Sequence, residues 1–264
     1  MLGQTLSNAR MANGNVQPVD RQSQFRTHGT IDIRGALSPE TLNLAESIWQ
    51  HLIDHPGPRA ATLSPDTLQR VSGLDEARQS SPTGLFYQDI MNRSADTALT
   101  DLIEQRDIRA IVQSIFAGDE HPSVPVDTRF AGAQVFLKEP RAARTGWHQD
   151  ISDTQLSGMN LLVLWMSFDP VPEDYGLEVV RGSHVGPIYS SMYGEFRAQS
   201  RPDIDGAPPG TWDIARYAST PGDVILFHYG CLHGGAGTAD FSRRSMALRF
   251  EGPGTRVRGV AGSA

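Results

Sequence analysis

Residues 221–252 read PGDVILFHYGCLHGGAGTADFSRRSMALRFEG, and the fold class is legible in this stretch. Pro221-Gly222-Asp223 is a turn signal that launches an apolar run from Val224 to Tyr229. The run ends at Cys231-Leu232-His233-Gly234-Gly235, which puts a histidine at a strand mouth beside residues with no side chain to crowd it. A second strand opens at two adjacent arginines. Alternate residues of an extended segment share a face. Arg244, Met246, Leu248 and Phe250 therefore form one face, apolar except for its arginine, while Arg243, Ser245, Ala247, Arg249 and Glu251 form a polar face expected to meet solvent. A guanidinium aimed into an apolar barrel face is costly without an anion. On this parity Arg244 is expected to grip a carboxylate through two parallel hydrogen bonds.

The same texture extends back to residue 127. Short apolar or alternating runs recur at 128–138, 160–168, 177–181, 223–229 and 244–251, separated by Gly, Pro and Asp. Many short strands with turn signals between them predict an antiparallel sandwich or barrel, mainly β with flanking helices. Upstream, residues 29–34 (GTIDIR) alternate as a strand, and Ser38-Pro39 reads as the N-cap and first turn of a helix running to about residue 54. A second helix is expected over 95–117. Residues 1–25, rich in Asn, Gln, Gly and Ser, are expected to be a flexible arm, and 26–264 a single catalytic domain. Its helical and loop part would cover about 26–125 and its β core about 126–252. The irregular stretches 55–83 and 186–214 are long enough to act as lids.

Composition narrows the class. The 264 residues carry a net charge of −7, which gives no support to a nucleic-acid or anionic-membrane partner. Cys231 is the only cysteine, so no intrachain disulfide can form and a reducing, cytoplasmic setting is expected. No apolar run reaches the roughly 20 residues that span a bilayer.

The sharpest local feature is Trp147-His148-Gln149-Asp150. In an extended segment His148 and Asp150 point to the same side and can offer an imidazole nitrogen and a carboxylate oxygen to one ion. Two histidines and one carboxylate on one face are the ligand set of non-haem Fe(II) oxygenases, which keep the opposite face open. A third ligand must come from a distant strand, and His184, His228 and His233 are the candidates.

Taken in order, GAQVFLKEP, WHQD, the Trp165-bearing run LLVLWMSFDPVPEDYG, GLEVVRGSHVGP and the closing GD…F…H…R resemble the phytanoyl-CoA dioxygenase family of Fe(II)/2-oxoglutarate-dependent oxygenases, over roughly residues 130–252. The resemblance implies a double-stranded β-helix, the jelly roll of cupin-like proteins. It implies His148, Asp150 and His233 as metal ligands and Arg244 as the residue that holds 2-oxoglutarate. Gln134, Trp165 and Thr238 are implied as further residues of the cosubstrate pocket. The cofactors would be Fe(II), 2-oxoglutarate and O2, and the reaction hydroxylation of an unactivated C–H bond in a small molecule. The sequence departs from the family's usual pattern at Gly235 and Thr238, where serine and asparagine are frequent, and at Asp174-Tyr175.

Other readings stand beside this one. A cupin-type metal oxygenase that needs no 2-oxoglutarate would leave a buried arginine unexplained. A non-catalytic binding protein on the same fold would have no need of an open-faced triad. His184 is expected to be structural, His228 a core or rim histidine, and Lys138, Arg141 and Arg144 a solvated loop. Arg144 is kept as a possible contact to an anionic substrate, and Phe86 and Tyr87 as pocket or lid residues.

Overall fold

The computed structural model describes residues 20–63, 83–117, 126–191 and 200–258. Two antiparallel sheets face each other, and helices cover the outer face of the larger one, so the molecule has three layers. This is the double-stranded β-helix expected from the motifs.

The large sheet has the order β1-β10-β7-β12-β4-β3-β2. Its strands are β1 (Thr30–Ile33), β2 (Ala61–Leu63), β3 (Phe86–Ile90), β4 (Arg129–Lys138), β7 (Leu161–Ser167), β10 (Val224–His228) and β12 (Arg243–Glu251). The small sheet has the order β5-β11-β8-β9, built from β5 (Thr145–His148), β8 (Leu177–Val180), β9 (Ile214–Tyr217) and β11 (His233–Gly235). A short pair, β6 (Leu156–Ser157) with β13 (Arg256–Val257), closes one end.

Side-chain alternation divides the core in two. On the outer face of the large sheet, Val135, Leu162, Leu164, Met166, Val224, Leu226, Met246, Leu248 and Phe250 pack against helices α1 (Arg21–His28), α2 (Pro39–Asp54), α3 (Asp96–Ile103) and α4 (Arg106–Phe116). On the inner face, Val163, Trp165, Ile225, Phe227 and Ala247 meet Leu177, Val179, Ala215 and Tyr217 of the small sheet. A strand covered on both sides is apolar on both sides, which is why β7 reads as an unbroken run.

Helix α2 starts as its sequence predicts. The Ser38 hydroxyl accepts from Thr41 N at 3.2 Å, and Pro39 occupies the first turn. Asp107 of α4 accepts from both Ser38 N (2.7 Å) and the Thr41 hydroxyl (2.9 Å), tying the two helices together. Trp49 of α2 lies against Phe168 and donates from its indole to Phe136 O at 3.2 Å, fixing the helix layer on the sheet.

Three expectations shift. The helix expected over 95–117 is two helices, because the chain turns at Glu104-Gln105 to bring Ile108, Val112 and Ile115 onto the sheet. The arm expected over 1–25 is helical from Arg21, with Phe25 buried; residues 1–19 lie outside the described residues. Of the lid stretches, 64–82 and 192–199 lie outside the described residues; β2 forms within the first stretch, and most of the second is described. Among the described residues no helix is long and apolar enough to cross a membrane.

Candidate metal centre and dicarboxylate pocket

The pairing of β5 with β11 sets His148 directly opposite His233. Their rings lie 4.1 Å apart, centroid to centroid. Asp150 follows β5 at the start of a single 3₁₀ turn, where Ile151 N bonds Tyr229 O at 2.9 Å. As a result Asp150 Oδ1 stands 3.8 Å from Nε2 of each histidine, and the three potential donor atoms all lie within 4.8 Å of one another. Two distant segments are thus brought to one point.

The histidines are set for ligation through Nε2. His148 Nδ1 is 2.9 Å from Gly146 O and His233 Nδ1 is 3.0 Å from Cys231 O. A carbonyl only accepts, so each Nδ1 carries the proton and each Nε2 keeps its lone pair. Burial, with His233 alongside, pushes His148 down to about 4, and burial lowers His233 as well, so both rings are neutral near pH 7. Burial alone would raise Asp150, but Arg249 and the two histidines outweigh it and hold the carboxyl at about 2. Two neutral imidazoles and one carboxylate fit a divalent first-row metal.

Gln149, between the two candidate ligands, is buried and turns the other way. It donates to Gly230 O (2.7 Å) and Pro187 O (3.1 Å) and accepts from Tyr189 N (2.8 Å), clamping the motif to neighbouring loops.

The triad opens into a cavity of about 320 Å³ between the sheets. Its walls are mostly apolar, with Phe86, Phe136, Val163, Trp165, Leu177 and Phe227 among them. Part of its lining is cationic. Arg243 is 5% exposed and Lys138 1% exposed, and they are register partners across β12 and β4. Arg243 donates to Tyr175 O and Ala236 O, and its Nε is buried without a partner. Lys138 Nζ donates to Gly235 O (3.3 Å) and Ala236 O (3.1 Å) and sits 4.5 Å over the Phe86 ring. Neither makes an ion pair with a carboxylate among the described residues. Glu178, the acid that acts on Lys138, is gripped by Arg144 (2.8 Å) and Arg216 (3.0 Å). Burial, with Arg243 and Arg144 adding to it, drives Lys138 well below its ordinary range, and burial lowers Arg243 to about 10. Two uncompensated cations facing one cavity are costly unless an anion binds there. An orphaned guanidinium nitrogen and a buried ammonium fit a carboxylate. Gly235 makes room for them, since a Cβ there would come within 3.3 Å of Arg243 Nη2.

The parity assignment of the arginines is therefore reversed. Arg244 lies on the helix side, where its guanidinium is paired with Asp169 (2.8 Å) and with Glu46 of α2. The apolar face of β12 is apolar because helices cover it, and the polar face lines the cavity. Arg249, expected in solvent, also lines the cavity and contacts Asp150 Oδ2.

Other expected residues divide similarly. Gln134, Trp165 and Phe86 line the cavity. Tyr87, one residue on from Phe86, points to the opposite side of β3 and does not. Thr238 donates to Glu139 O and accepts from Ala142 N (2.9 Å), bracing two loops away from the cavity. Arg144 is half-buried and paired with Glu178 and Asp205, so it offers no free charge to a substrate. Lys138 is not in a solvated loop but inside. His184 donates to Arg26 O, and His228 faces the helix layer with Nε2 on Gly158 O, so both are structural.

Fold and site together define a jelly-roll protein with an open-faced His/Asp/His centre above a cationic pocket. A family model described as phytanoyl-CoA dioxygenase (PhyH) matches residues 25–245, and the chain belongs to that family. Among curated proteins none matches the sequence. Solved structures with similar folds include the non-haem alpha-ketoglutarate-dependent epimerase SnoN from nogalamycin biosynthesis. It is 18% identical with a TM-score of 0.63, over 92% of this chain and 85% of that one. The same epimerase in complex with Fe3+, alpha-ketoglutarate and nogalamycin RO has a TM-score of 0.65 at 16% identity, over 92% of this chain and 86% of that one. EvdO2 from Micromonospora carbonacea var. aurantiaca complexed with 2-oxoglutarate is 18% identical with a TM-score of 0.57, over 91% of this chain and 92% of that one. At these identities the likeness is one of fold.

Proposed function

We propose that this protein is an Fe(II)- and 2-oxoglutarate-dependent dioxygenase that hydroxylates a small, largely apolar molecule. The observation that carries the reading is the pairing of two features in one cavity: the neutral His148/His233 pair with Asp150, and the cations Arg243 and Lys138, which meet no carboxylate among the described residues. His148, Asp150 and His233 would hold the iron. Arg243 and Lys138 would hold the distal carboxylate of 2-oxoglutarate. Membership of the phytanoyl-CoA dioxygenase family supports the same cofactors. So do the Fe3+ and alpha-ketoglutarate of the SnoN complex and the 2-oxoglutarate of the EvdO2 complex.

When bound, iron and 2-oxoglutarate supply the oxidising power, releasing succinate and CO2 as O2 is consumed. The chain does the rest. Nδ1–H bonds to Gly146 O and Cys231 O fix the imidazole planes. Arg243 and Lys138 set the cosubstrate's direction, and the aromatic walls exclude water and orient an apolar substrate. Those walls favour a natural-product-like or acyl substrate over a polar one. The epimerase and carbocyclase among the similar structures make product analysis, not only succinate release, the measure of the hydroxylase assignment.

The test is anaerobic addition of Fe(II) and then 2-oxoglutarate to the metal-free protein, watched for the visible charge-transfer band of the chelate. A band that is absent in His148→Ala and weakened in Arg243→Met is the expected result. Iron binding without a band would favour the oxygenase reading that dispenses with 2-oxoglutarate.

A further inference from the structure

Another arginine that lines the cavity, Arg249, has no part in that scheme. Arg249 lies on the cavity face of β12, between β4 and β7 in the middle of the large sheet. Its Nε and Nη2 both reach Asp150 Oδ2, at 3.2 and 3.0 Å. Nη2 also donates to Gln134 Oε1 at 2.7 Å, and Gln134 Nε2 donates to Gln88 Oε1 at 3.1 Å. The chain of contacts runs from Asp150 across β12 and β4 to β3, all parts of one rigid sheet.

These contacts divide the two oxygens of Asp150. Oδ2 is covered by two guanidinium N–H groups, while Oδ1 faces both His148 Nε2 and His233 Nε2 at 3.8 Å. A carboxylate can bind a metal through one oxygen or two, and the second oxygen takes a coordination position from water, cosubstrate or O2. The guanidinium is not placed for the largest number of ion pairs, since Nη1 is buried with no partner. It is placed so that one edge lies on a single oxygen, with Gln134 fixing its rotation. A lysine could supply the charge but not two directed N–H groups in one plane.

We propose that Arg249 is a positioning residue: by occupying Oδ2 it confines Asp150 to a single metal bond through Oδ1 and so preserves the open coordination face. The inference rests on the metal reading of the triad. A mere buried ion pair would stabilise the fold without controlling how many positions the metal keeps free.

The test uses the full chain loaded with Mn(II) alone, and water-proton relaxation to count the exchangeable waters on the bound ion. Three single-atom protein ligands on an octahedral ion leave about three waters. Arg249→Leu is expected to lose about one of them as the second oxygen swings onto the metal, with the count only partly restored in Arg249→Lys, which keeps the charge but not the paired N–H groups. Should the leucine variant fail to fold, Arg249→Lys alone is compared with wild type and is expected to show a smaller water count. Equal water counts in wild type and every folded variant would overturn the inference while leaving the metal site intact. Absence of Mn(II) binding by the wild type would overturn both.

Discussion

Arg243 and Arg244 are neighbours on one strand, yet they face opposite layers of the molecule. Arg244 points toward the helices, where Asp169 and Glu46 neutralise it and its side chain remains about a third exposed, at 32%. Arg243 points between the sheets, is 5% exposed, and meets only backbone carbonyls. A charge that the fold has already neutralised contributes to architecture. A charge buried without a counter-ion is a standing cost that only a ligand can relieve. The contrast holds along the whole of β12. Met246, Leu248 and Phe250 on one side belong to the structural core, while Ser245 and Arg249 on the other line the cavity.

The sharpest way to break this comparison is to remove the metal site at the head of the cavity. His148→Ala or His233→Ala should weaken Fe(II) binding by more than about 100-fold, measured by anaerobic titration. A folded variant with wild-type affinity would end the assignment of the triad. Next in size is the arginine pair itself. Arg243→Met should lower 2-oxoglutarate affinity by about 100-fold, since it removes one partner of a desolvated charge pair. Arg244→Met should leave that affinity within about twofold and cost roughly 0–1 kcal/mol in a urea melt, as is usual for a half-exposed pair. The opposite pattern would restore the face assignment made from parity alone.

Lys138→Met sharpens the comparison, because its two effects have opposite signs. Without ligand the variant should be more stable than wild type, since an unpaired buried ammonium is replaced by an apolar side chain of similar size. It should bind 2-oxoglutarate at least about tenfold more weakly, from loss of a charge-assisted hydrogen bond worth about 1.5–3 kcal/mol. Melts of the metal-free protein and calorimetric titration read the two separately.

The last test compares one histidine from each side. Burial lowers both His148, beside the cavity, and His228, on the helix side, to about 4. A histidine whose folded pKa is depressed binds its proton more readily in the unfolded chain. Stability is therefore fully present above the unfolded value of about 6.5 and falls as pH drops toward 4, by up to about 1.4 kcal/mol per pH unit for each ring. Asp150, held at about 2, adds no slope in that window, because its contribution is lost only below the ordinary carboxylate range. Urea melts of the metal-free protein at pH 7.5, 6 and 5 should show the decline. A flat profile would mean that these rings are not buried neutral.

What could be read from the chain was short-range. His148 and Asp150 converge because alternate residues of an extended segment share a side, a rule that needs no partner strand. Ser38-Pro39 starts its helix for equally local reasons. His233, Gln134 and Trp165 follow from an ordered set of motifs rather than from local geometry, and all three line the cavity, as does Phe86. The cases that went otherwise share one physical cause. Parity states which residues of a strand lie together but not which layer they face, and that depends on what packs against each side. The apolar face of β12 reads as the barrel interior, whereas α1 to α4 cover it and the polar face bounds the cavity. The same missing information reversed Tyr87 and Lys138. Thr238 and Arg144 were satisfied by partners distant in sequence, Glu139 and Ala142 in one case and Glu178 and Asp205 in the other. By itself the sequence determined the strand periods, the helix start and the His-x-Asp pair, all set within a few residues by backbone geometry. Tertiary structure alone decided that Arg243, Lys138 and Arg249 face the cavity, because burial and charge compensation are properties of layers in contact.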